Sequence, residues 1–153
     1  MFKKQVMLEC ISALLILLFL YASLSKFMDF KTFIGEMNNQ PLPKSWTPFL
    51  VWFIPCTEII LSMFLIFEHT RLLGLYGSLV LMGLFTVYAM LILLHFFPRV
   101  PCSCGGIIKR LTWGQHLALN VFFVSLSISG VIIQRRKYFN SIILTKQKQN
   151  SLV

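Results

Sequence analysis

The sequence predicts an all-α integral membrane protein: a bundle of four transmembrane helices with a short interfacial helix after the first span. Of its 153 residues, 57% are hydrophobic and only 12% charged, with a mean hydropathy of +0.77; a soluble domain of this size is not so apolar. The apolar residues also fall into four blocks, each near or above the roughly 20 helical residues that cross about 30 Å of hydrocarbon. Lipid offers no hydrogen bonds to an exposed backbone, so segments of this kind must satisfy their own N–H and C=O groups as helices.

The first span is predicted from Val6 to Phe27. Lys3 and Lys4 before it, with Tyr21-Ala22-Ser23 as a cleavage site, would also suit a signal peptide. The polar Glu9 and Cys10 that open it, and the apolar stretch beyond Ser23, favour a retained helix. In the next segment Met28, Phe30, Phe33, Ile34 and Met37 recur near helical spacing, as in a short helix lying on the membrane, and Asn38-Asn39-Gln40-Pro41 ends it. The second span is predicted from Pro48 to Phe67 and the third from Leu72 to Phe97. The third is longer than a crossing requires, which predicts a tilt or a projection from the bilayer. The fourth runs from Trp113 to Ile133, with Thr112 as its N-cap and Arg135-Arg136-Lys137 just behind it. No long repeat divides the chain, which reads as one membrane domain over residues 1–137 and a basic, disordered tail over 138–153.

The net charge of +9 fits cations that flank the spans and meet anionic headgroups, and gives no support to nucleic-acid binding. With both termini in the cytoplasm, eight Lys and Arg residues lie inside and six outside. This narrow positive-inside balance is strengthened by the cluster after the last span. It places the connection between the third and fourth spans outside, in the periplasm of a bacterial inner-membrane protein, where thiols are oxidised.

That connection carries Pro101-Cys102-Ser103-Cys104-Gly105-Gly106. A disulfide between Cys102 and Cys104 requires a turn that brings their Cα atoms within about 7 Å. Gly105 and Gly106 permit such a turn, and Pro101 stiffens its approach. A bridge in so small a ring is expected to be strained, readily reduced and a good oxidant toward other thiols. A static staple, or two thiols with no role, is the bland alternative. Cys10 and Cys56 lie within spans, where a free cysteine behaves as a small hydrophobe. Cys56 is also positioned to act as a resolving thiol if it approaches the outer pair.

Downstream, Thr112, His116 and Asn120 are four residues apart and share one face of the fourth helix. A histidine beside a thiol can lower its pKa or carry its proton, and an asparagine can orient the imidazole. Interhelical hydrogen bonding is the structural alternative. Glu58 lies about ten residues into the second span, where an ionisable group costs several kcal/mol unless paired, neutralised or hydrated. Lys26 or His116 would hold the carboxylate, or it would stay protonated and take part in proton transfer.

Taken together, Pro55-x-x-Glu58, the Cys102-x-Cys104-Gly105-Gly106 connection and Leu111-Thr112-Trp113-x-x-His116-x-x-x-Asn120 resemble the methylamine utilisation protein MauE family, within the wider DoxX-like group of small four-helix membrane proteins. The resemblance spans residues 5–133. It implies a redox-associated membrane protein, linked to maturation, processing or export of the disulfide-rich small subunit of methylamine dehydrogenase or of another exported protein.

The mechanism expected from both lines is thiol–disulfide oxidoreduction by Cys102 and Cys104 on a periplasmic client, with Glu58 and His116 handling protons. The electrons would leave through a thiol partner or a quinone. There is no Gly-rich nucleotide loop and no haem attachment motif, so a small acceptor would have to bind between helices. Two other classes stand beside this one. A soft-metal handler would use Cys102 and Cys104 with His95 or His116. A noncatalytic assembly subunit would pack a partner helix on small residues such as Gly74 and Ser78, or Ser125 and Ser129.

Overall fold

A computed structural model describes residues 2–41, 43–96 and 112–150, with side chains from residue 3 to residue 139. The described chain is helical, with no strand: α1 (Phe2–Met28), α2 (Phe30–Asn38), a single 3-10 turn (Lys44–Trp46), α3 (Thr47–Ile66), α4 (Arg71–Leu93) and α5 (Trp113–Asn150). Four of these helices are long and apolar enough to cross a membrane. In each, at most a third of the most apolar 18-residue stretch is buried inside the protein. The remaining apolar surface is what a lipid environment accommodates, because tails solvate Leu and Phe as well as a protein core does.

The four long helices form a closed ring in which α1 packs on α3, α3 on α4, α4 on α5 and α5 back on α1. The core between them is built from Leu8, Ile11, Leu15 and Phe19 of α1, Leu61 and Leu65 of α3, Leu75 and Met82 of α4, and Phe123 and Val131 of α5.

Local chemistry explains the helix ends. Pro48 occupies the first turn of α3, where its missing N–H costs nothing. At the other end of α3 the orphan carbonyls are taken by side chains from the following turn. Thr70 Oγ1 donates to the Phe64 carbonyl at 3.0 Å, and Arg71 Nε donates to that of Leu65 at 3.3 Å. Arg71 is thereby buried at the end of the bundle. α5 opens on a capping box: the Gln115 N–H donates to Thr112 Oγ1 at 3.4 Å, and the Thr112 N–H to Gln115 Oε1 at 2.9 Å.

Two predicted boundaries and one predicted surface change. The third span was expected to reach Phe97, but α4 stops at Leu93. There the His95 N–H bonds the Ile92 carbonyl and the Phe96 N–H bonds that of Leu91, with His95 at φ 54°. This is a Schellman turn with histidine in the left-handed position that glycine usually fills. The residues after 137 were expected as a disordered tail, yet α5 stays helical through Asn150; no Gly or Pro follows Gly130 to break it. The short helix after α1 forms as predicted, but its apolar side is not given wholly to the membrane surface. Phe33 and Met37 are buried in a small cluster with Val51 of α3.

Candidate functional site

Near one end of the ring the helices part around a cavity of about 530 Å³ whose lining comes from all five α-helices. This is the end where α1 and α4 finish and α3 and α5 begin. The described chain leaves it at Phe96 and returns at Thr112, so the connection carrying the paired cysteines starts and ends there. Most of the lining is apolar, and its polar groups include four singled out from the sequence: Lys26, Glu58, His116 and Asn120.

Glu58 is 2% exposed, and its partner is Lys26. The ammonium donates to Oε1 at 2.8 Å and to Oε2 at 3.0 Å, and also reaches the Ala22 carbonyl at 3.3 Å. The Phe33 ring of α2 lies 6.0 Å from the same nitrogen. Of the two partners considered for Glu58, Lys26 is therefore the one that holds it, and a charge far inside the apolar layer is matched rather than bare. The geometry needs α1 and α3 side by side, and it needs Glu58 on the inner face of α3. Pro55, one turn earlier, is buried on that face. Cys56, about 200° around from Glu58 at 100° per residue, is exposed on the outer face of α3, away from the cavity.

His116 and Asn120 stand one turn apart on α5 and both line the cavity. Thr112, expected on the same face, is exposed and spends its hydroxyl on the helix cap. Trp113, the first residue of α5, lies in the cavity wall, its ring centroid 5.8 Å from that of His116. Sequence reasoning missed two polar groups of the site, Tyr88 and Gln40. The Tyr88 hydroxyl donates to Gln40 Oε1, tying the end of α4 to the turn after α2. A tyrosine late in an apolar span and a buried glutamine in a helix-stopping sequence were the available signals, but neither reveals the other across 48 residues.

Cys102 and Cys104 lie outside the described residues. His95, proposed as a metal ligand with them, is exposed at the end of α4 and His116 lies in the cavity wall. Among the described residues no group of three or more His, Cys, Asp or Glu side chains is arranged to hold a metal ion. The small pairs also separate: Gly74 and Ser78 are buried within the bundle, whereas Ser125 and Ser129 are exposed and donate to carbonyls of their own helix.

No curated protein and no solved structure matches the chain. The family model described as methylamine utilisation protein MauE matches residues 4–133. That span takes in all four apolar helices up to Ile133, the Lys26–Glu58 pair, the Cys102-x-Cys104 connection and His116, and the chain belongs to the MauE family.

Proposed function

We propose that this MauE-family membrane protein oxidises thiols of an exported client, and that its role is client maturation or export within methylamine utilisation, the process that the family description names. The observation that carries the reading is positional: the chain departs for the Cys102-x-Cys104 segment, and comes back from it, at the end of the bundle that holds the cavity with Lys26, Glu58 and His116.

In the proposed step a client thiolate attacks one sulfur of the Cys102–Cys104 disulfide and forms a mixed disulfide, releasing the other cysteine as a thiolate. A second client thiolate attacks the mixed bond. The client gains a disulfide and loses two electrons and two protons; the Cys102/Cys104 pair gains both and becomes a dithiol. His116 and the Lys26–Glu58 pair line the cavity at that end and would carry those protons. The client-facing side is the periplasm in a bacterial host, with both termini in the cytoplasm. A quinone or a thiol partner then takes the electrons.

Thiol trapping in intact cells tests this. A membrane-impermeant maleimide should label the wild type only after mild reduction, and the Cys102→Ser/Cys104→Ser variant should lose that label. Labelling without reduction would favour a soft-metal site over disulfide exchange. No labelling under either condition would overturn an outward-facing pair.

A further inference from the structure

Resting on the thiol reading, we infer that the cavity between the helices binds the ring of a membrane quinone, the acceptor that removes electrons from the pair. A volume of about 530 Å³ falls within the range of small-molecule sites and accommodates a six-membered ring with the first part of an apolar tail. The walls suit a flat ring, since Phe33, Phe85, Trp46 and Trp113 contribute aromatic faces.

Electrostatics sets the ligand's charge class. The cation in the cavity is already matched, because both oxygens of Glu58 sit on the Lys26 ammonium. The pair is neutral as a unit, so an anionic headgroup would gain little, whereas a neutral carbonyl oxygen needs only a donor. Asn120 supplies one: its side chain makes no hydrogen bond to another described residue, and it lines the cavity one turn beyond His116.

Access is lateral. Leu84 lines the cavity yet is 64% exposed, on an α4 face with Val80 and Val87 at 62% and 57%. Those residues are spaced by four and three, so the cavity opens onto an apolar helix face of the kind that lies against hydrocarbon. A carrier dissolved in the bilayer meets the opening there. In the reaction the Cys102/Cys104 dithiol gives up two electrons and two protons and closes its S–S bond, and the quinone takes both to become the hydroquinone.

The test uses the full-length Cys102→Ser/Cys104→Ser protein in phosphatidylcholine nanodiscs, titrated with a ubiquinone bearing a ten-carbon tail and followed by tryptophan fluorescence. Saturable quenching is expected, most of it lost with Trp46→Phe/Trp113→Phe and retained with Trp52→Phe. Asn120→Leu should weaken binding roughly three- to tenfold, the loss of one hydrogen bond. Leu84→Trp, at an exposed position that leaves the core untouched, should slow association. Quenching that rises without saturation, or that is indifferent to both Asn120→Leu and Leu84→Trp, would overturn the proposal as simple partitioning into lipid. Because the thiols are absent, the outcomes separate. Binding here with no reducible pair in cells keeps the quinone site and removes the exchange reading. A reducible pair without binding here overturns the quinone site and sends the electrons to a thiol partner.

Discussion

The two ends of the bundle are packed on opposite principles. At the end that holds the α3–α4 turn, backbones approach closely: a Cβ added to Gly74 would lie 3.0 Å from the Leu65 backbone nitrogen, and one added to Gly130 2.8 Å from Leu75 Cδ2. Leu8, Leu65 and Leu75 are completely buried there. At the other end the same four helices stand apart around the cavity and place a lysine, a glutamate, a histidine and an asparagine in its wall. Small residues allow close contact at one end, and polar residues line the cavity at the other. On the proposed function, chemistry belongs to the open end, and the closed end serves as scaffold.

The contrast predicts a graded set of substitutions. The largest effect belongs to the buried pair. Glu58→Leu leaves the Lys26 ammonium inside an apolar wall and should destabilise the protein by about 3–5 kcal/mol, measured by reversible unfolding in mixed micelles. The double variant Glu58→Leu/Lys26→Met should recover most of that loss, while the proposed client thiol oxidation should be abolished in both variants. If the double variant remained active, the pair would be scaffold, and the division between the ends would fail.

Next is the closed end. Gly74→Ala presses a methyl on the α3 backbone, which cannot rotate out of the way, and should cost about 1–3 kcal/mol. Thiol oxidation per folded molecule should not change. A specific loss of activity in that folded fraction would mean that the closed end transmits to the cavity. A smaller effect belongs to the cap that seats α5: Thr112→Ala removes one side of the capping box and should cost about 1 kcal/mol, read as a lowered melting midpoint. The smallest is a gain. His95→Gly relieves a left-handed backbone at the end of α4 and should stabilise by up to about 1 kcal/mol. Loss of function in that otherwise stabilised variant would give the histidine a role beyond the turn.

Much of this was legible in the chain. Apolar block length located all four spans, because a bilayer imposes a minimum length and a helical backbone, and the helical spacing of Met28, Phe30, Phe33, Ile34 and Met37 located the short amphipathic helix. A glutamate within a span was recognisable as a group that must find a partner, and Lys26 was one of the two cations named for it. The reach of the third span was not legible: Leu94, His95 and Phe96 give no propensity signal for a left-handed turn at a histidine. Nor was the Tyr88–Gln40 bond, since hydrogen bonding between residues so distant in sequence depends on how α2 and α4 are brought together. The equal spacing of Thr112, His116 and Asn120 correctly placed the last two on a common wall, but the first was taken by the helix terminus, where orphan N–H groups compete for any nearby oxygen.

By itself, then, the sequence determined the membrane class, the number of spans and the residue types able to do redox and proton chemistry, because hydrophobic length and the cost of burying a charge are local properties. Only the tertiary structure decided which end of the bundle closes and which opens. Close packing at Gly74 and Gly130, the matching of Lys26 to Glu58, and the space left beside His116 and Asn120 are all set by the distance between helices. No single helix carries that distance in its own residues.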